Sequence, residues 1–224
     1  MQLSAGPQSD PVQPQVMKQS VPSWAIPYTK PAQAPAAPRS PSDLGGDKVL
    51  PGGAPQDAEN AKRLGTAVHR LLEVLPNAPQ DQWGNIAQRL VEADIQAAAF
   101  QEARAVLQQP QLAYIFAPES LAEVDISAHL PELNGDPIQG SIDRLLISPT
   151  RVLAVDFKSN QIVPSEVAQV PSGLLRQMGA YAAALSQIYP HHDIETAILW
   201  TKTLELMPLP PDLVISSLAN TSPA

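Results

Sequence analysis

GSIDRLLISPTRVLAVDFKS, residues 140–159, is the stretch whose reading decides the fold. In RVLAVDFKS, alternation puts Leu153, Val155 and Phe157 on one face of a strand and Val152, Ala154, Asp156 and Lys158 on the other. The segment before it, residues 138–148, carries Asp143 among apolar residues and also reads as a strand. Ser148-Pro149-Thr150 is a short turn, so the two strands are antiparallel neighbours and Asp143 can meet Asp156 across the ladder.

Upstream, SLAEVDISAHL supplies a third strand, and Asn134-Gly135 marks the turn between it and its successor. Further back the period becomes helical. AENAKRLGTAVHRLLEVLP spaces Leu64, Val68, Leu71, Leu72 and Leu75 along one helix face, and Pro76 ends the run. DQWGNIAQRLVEADIQAAAFQEARAVLQQP reads as one or two helices with Ile86, Leu90 and Ile95 as core positions and Pro110 as a stop. Downstream, GLLRQMGAYAAALSQIYP is a helix, DIETAILWT and LELMPLP form a hairpin, and PDLVISSLAN closes the domain as a short helix. The expected architecture is α/β: a central mixed β-sheet flanked by helices.

Residues 1–56 differ in kind. They hold 11 of the 25 prolines and little that could form a core, which suits a disordered, Pro-rich linker ahead of a domain spanning 57–224. Trp24 within it reads as a residue packing loosely on the neighbouring domain or as a short docking element.

Composition narrows the chemistry. The 224 residues include no cysteine, which excludes disulfides, thiolate zinc sites, cysteine-ligated iron–sulfur clusters and thiol nucleophiles. Any metal is held by oxygen and imidazole. With 22 acidic against 14 basic residues the net charge is −8, the wrong sign for a protein that finds nucleic acid by its own field. No apolar run resembles a signal peptide or a membrane span, so a cytoplasmic location without membrane contact is the expectation.

Two carboxylates converging in an apolar sheet repel one another and lose solvation unless a cation, a shared proton or a basic partner compensates them. A hard cation suits oxygen ligands. Ordinary ion pairs, Asp143 with Arg144 or Arg151 and Asp156 with Lys158, are the competing explanation.

GTAVHRLLE (65–73), GSIDRLL (140–146), AVDFKS (154–159) and QMGAY (177–181) occur in that order. Together they resemble the RecB-type branch of the PD-(D/E)XK nucleases, and within it the C-terminal nuclease domains of AddA-type helicase-nuclease subunits of bacterial double-strand break repair. The likeness covers roughly residues 60–210. It implies a restriction-endonuclease-like core with His69, Asp143 and Asp156 as metal ligands, the Phe157 backbone carbonyl as a fourth, and Lys158 as the catalytic lysine. Gln177 and Tyr181 match the family's QxxxY pair; as i and i+4 on a helix they share a face, where plain packing is the alternative. Glu73, one turn beyond His69, is expected to orient the imidazole, Glu123 to lie at the periphery of the site, and Arg144 and Arg176 to contact phosphates. His129, His191 and His192 read as surface or turn residues.

The function so implied is Mg2+-dependent exonucleolytic cleavage of DNA, with Mn2+ as a substitute. Single-stranded ends would be delivered by a helicase, with the AddA helicase region and an AddB-type subunit as partners. No GxxxxGK[ST] phosphate loop is present, so the chain carries no motor of its own. The alternative is a nuclease-like module without catalysis, holding DNA or docking a subunit.

Overall fold

The turn after the first decisive strand closes through Ser148, whose N–H and hydroxyl both donate to the Arg151 carbonyl at 2.8 and 2.9 Å. It sets β2 (Pro137–Ile147) antiparallel to β3 (Arg151–Lys158), with Leu145 opposite Ala154. This computed structural model describes residues 37–50 and 58–221. β1 (Leu121–His129) runs antiparallel to β2, while β4 (Asp193–Trp200) is parallel to β3 and antiparallel to β5 (Glu205–Leu209). The result is a five-stranded sheet in the order β1-β2-β3-β4-β5; its mixed character and flanking helices are as the sequence predicts. The parallel pair requires a crossover, supplied by α4 (Ser172–Ile188).

Alternation along β3 divides the core into two layers. Val152 and Ala154 pack with α4 and α5 (Pro211–Ala219), and Leu153, Val155 and Phe157 with the helices of the other face. That second layer is built from α1 (Ala58–Val74), α2 (Trp83–Leu90) and α3 (Ala93–Leu107). Val68, Leu71 and Leu72 of α1 are fully buried, and the helix gives way to a 3-10 turn carrying Pro76. The segment expected to hold one or two helices holds two, broken at Val91 and Glu92. Leu90, expected in the core, is instead 41% exposed, because it ends α2 on the solvent side of that break.

α4 crosses α5 closely at Gly179, where an added Cβ would strike the Val214 carbonyl oxygen. Residues 37–50, part of the expected linker, lie against the domain. Arg39 bonds to Pro137 and Gln139 of β2 at 2.9 and 3.0 Å, and Leu44 is buried. A linker over 1–36 and 51–56, and any role for Trp24, lie outside the described residues. Among the described residues no helix is long and apolar enough to cross a membrane.

Candidate metal centre and active site

β2 and β3 are paired only from Arg144–Val155 to Ile147–Val152, and beyond that they diverge. The divergence coincides with a change of face: Ile142 packs beneath α4, whereas Arg144 reaches the opposite way to the Leu72 carbonyl of α1 at 2.6 Å. Asp143 sits at this switch. Its Oδ2 accepts the Phe157 N–H at 2.5 Å, and its Oδ1 lies 3.1 Å from His69 Nδ1. A side chain thereby satisfies a backbone donor that the parting strand has abandoned.

Electrostatics follow from these bonds. Burial alone would raise the Asp143 carboxyl, but the hydrogen bond and charge of His69, with the Phe157 amide, hold it below the usual carboxylate range. Burial likewise opposes charge on His69, yet the bond to Asp143 and that carboxylate's charge raise the imidazole above its ordinary value.

Asp156 is 3% exposed and projects on the α4 side. Gln177 donates from Nε2 to Asp156 Oδ1 at 2.8 Å and to the Tyr181 hydroxyl oxygen at 3.1 Å. Lys158 Nζ donates to Gln177 Oε1 at 3.2 Å and forms an ion pair with Asp156. Tyr181 in turn donates to the Ser141 carbonyl at 2.6 Å. Gln177 thus uses both amide protons and its carbonyl to join acid, lysine and tyrosine. Burial pushes the Asp156 carboxyl up, Lys158 counters it, and Asp143 adds to the rise; the net direction is upward. The Tyr181 phenol is also raised, by burial first and then by the charge of Asp156, and stays neutral.

Glu123 joins from β1. The flanking pairs Ala122–Arg144 and Val124–Ile142 leave it directly opposite Asp143. Its φ is 48°, in the left-handed region that non-glycine residues seldom occupy. One ligand atom from each of His69, Glu123 and Asp143 lies within 4.8 Å of the others, the grouping among the described residues suited to a metal ion. Burial and the neighbouring Asp143 push the Glu123 carboxyl up, the response of an acid placed where a compensating cation belongs. Two carboxylates and an imidazole form an oxygen-and-nitrogen donor set that fits a divalent metal ion. A cavity of about 300 Å³, lined by His69, Glu123, Thr66 and Arg70 among others, opens onto the group.

Other expectations fare differently. Glu73 does not reach the imidazole and pairs with Arg70 at 2.5 Å. Arg144 is buried over the Phe116 ring, 5.1 Å from its centroid, so it cannot meet a phosphate. Arg176 reaches the carbonyls of Leu44 and Asn220 at 3.4 and 3.5 Å, tying two chain segments together. Arg151 pairs with Glu195 rather than with Asp143, while the Asp156–Lys158 pair does form. His129 is exposed against Gly135, and His192 lies edge-on to Tyr189.

Sequence reasoning missed the support behind Lys158. Its carbonyl accepts the Thr201 N–H at 2.9 Å, and the Thr201 hydroxyl donates to the buried Glu102 at 2.5 Å. Gly65 admits the end of β3 against α1, since a Cβ there would meet the Ser159 hydroxyl at 3.0 Å.

Residues 45–206 match the sequence profile of the PD-(D/E)XK nuclease superfamily. No curated protein sequence matches the chain. Among solved structures, one match is a Eubacterium rectale protein provisionally described as an exonuclease, with TM-score 0.46 and 12% identity over 69% of this chain. The chain spans 62% of that protein's length.

Proposed function

Because the chain belongs to the PD-(D/E)XK nuclease superfamily, we propose that it is a divalent-metal-dependent deoxyribonuclease acting on the ends of single-stranded DNA. The observation that carries this reading is the convergence at the parting of β2 and β3. There Asp143 lies against His69 and Glu123, and Asp156 against Lys158 and Gln177.

His69, Asp143 and Asp156, with the Phe157 carbonyl, would hold Mg2+, and Glu123 is placed to join them. When bound, the metal supplies charge to the scissile phosphate and acidity to a water. Lys158 directs its ammonium at the attacking water or at the negative charge developing on the phosphate. Gln177 holds Lys158 and Asp156 in register, and Tyr181 fixes Gln177 from below. Asp143 anchors the Phe157 amide and so keeps β3 in reach of His69.

The net charge of −8 and the resemblance to AddA-type domains support delivery of DNA by a partner. In this reading the chain works beside a helicase region and an AddB-type subunit, and is an exonuclease in double-strand break repair. The test compares linear and covalently closed single-stranded DNA, each with Mg2+ and with chelator. The proposal expects metal-dependent loss of the linear form alone. A folded protein that binds DNA and cuts neither form would be a holding module instead.

A further inference from the structure

α1 presents more than His69 to solvent. Lys62, Thr66 and Arg70 lie on its exposed side, and Thr66 and Arg70 line both the cavity at the metal group and a second cavity of about 280 Å³. The second cavity runs between α1 and the break separating α2 from α3, floored by Ala67 and Val91, with the exposed Leu90 at its lip. From His69 to Lys62 is about 10 Å along the helix at its usual rise.

The groove's chemistry is mixed in a particular way. Lys62 has no ion-pair partner among the described residues. Arg70 is paired only with Glu73, an exposed i,i+3 contact of the kind worth little and readily exchanged for a phosphate. Opposite these cations Leu90, Val91 and Ile95 offer apolar surface against which a base face can lie, while the groove's acids are Glu92, tied to Arg63, and Glu59 on α1. Proteins hold single strands without reading sequence by cations that track the backbone beside faces on which bases rest; those faces are commonly aromatic, and here the aliphatic Leu90, Val91 and Ile95 take that place.

We propose that this groove is a strand-binding subsite, seating the nucleotides next to the scissile phosphate with their backbone along Lys62 and Arg70 and a base against Leu90. Continuity with the metal cavity through Thr66 and Arg70 favours a nucleic-acid strand as the occupant. The inference rests on the nuclease reading and adds to it where the substrate lies. On a chain of net charge −8, it supplies local attraction that the whole molecule lacks.

The test measures KM for single-stranded oligothymidylates of two to eight nucleotides, in wild type and in Lys62→Glu and Leu90→Glu variants. Wild type is expected to gain affinity as the strand lengthens into the groove. Each variant is expected to lose most of that gain, about tenfold at the longest strand. Loss of one phosphate contact is also expected to reduce the slope of log KM against log salt by about 0.7. Both positions are exposed, and thermal melting verifies the fold; Lys62→Ala carries the test if the charge reversal melts early. An unchanged length dependence and salt slope would overturn the subsite, as for a groove that seats a protein segment. Failure of wild type to cleave any strand would instead refute the nuclease reading.

Discussion

The Asp143 carboxylate takes the place on β3 that the β2 backbone gives up, accepting the Phe157 amide at 2.5 Å while its other oxygen faces His69. One side chain therefore ends a sheet pairing and opens a site. The strands part where Asp143 replaces a backbone partner, and the acids that β2 and β3 carry stay buried beside the gap, Asp143 at 8% and Asp156 at 3% exposed.

Asp156 is held with its acid raised, so its charge costs stability in the folded protein without metal. The cost is absent below the unfolded pKa of about 3.9 and is imposed as pH rises through the folded value. Asp156→Asn keeps an oxygen for Gln177 and removes the charge. Without metal at pH 7.5 it should melt above wild type, the direction set by removing a buried charge whose carboxyl is raised. The difference should vanish toward pH 3.5, while cleavage in Mg2+ is lost at every pH. Equal melting at both pH values would contradict the assignment of strain to this carboxylate.

Lys158 contributes a cation and no ligand atom. Calorimetry should find Mn2+ affinity of Lys158→Ala at or above wild type, since the ammonium no longer competes for Asp156. Turnover should fall by roughly 10²- to 10³-fold, the range seen when a donor to transition-state charge is removed. Loss of metal binding with the lysine would show that it acts by holding the acids in place.

Glu123 spends backbone strain to stand opposite Asp143. A non-glycine residue held there costs on the order of 1 kcal/mol or more. Glu123→Gly should raise the melting temperature without metal by about 2 to 4 °C and weaken metal binding. A drop in both would mean that the left-handed turn is supported by the carboxylate's own contacts.

Tyr181→Phe removes the donor to the Ser141 carbonyl and an acceptor for Gln177. The orphaned groups should cost about 1 to 3 kcal/mol in denaturant unfolding. Turnover should fall more than metal affinity, because Gln177 then holds Lys158 less firmly. A purely packing role for the ring would lower stability and leave turnover per folded molecule unchanged.

Much of the fold was legible in period alone. The sequence alternates through β1 to β3, turns helical in α1 and α4, and alternates again in β4 and β5, and the structure follows it. Leu90 misled because helical spacing cannot reveal that a helix ends beside solvent. The acids, lysine and Gln177–Tyr181 pair stood out through the resemblance of four ordered motifs to a nuclease family, and the structure brings them together. Glu123 was legible only as peripheral, since its place depends on a left-handed φ that no pattern encodes. Arg144 looked like a phosphate ligand from its neighbourhood in sequence, but the change of face at Asp143 turns it into the core. Thr201 and Glu102 stayed hidden because Thr201 lies 43 residues from Lys158 and 99 from Glu102 in the sequence.

The central claim is that carboxylate charge at the parting of β2 and β3 cleaves DNA with a bound metal. Asp143→Asn tests it most directly, because the amide oxygen can still accept the Phe157 N–H while the charge is gone. Wild type and this variant, matched for folding by thermal melting, are compared on end-labelled linear single-stranded DNA in saturating Mg2+. The account predicts cleavage by wild type, abolished by chelator, and at least about a 100-fold loss in the variant, on the order expected for removing electrostatic stabilisation of the transition state. Cleavage by folded Asp143→Asn at the wild-type rate, or inactivity of wild type with its metal bound, would contradict it.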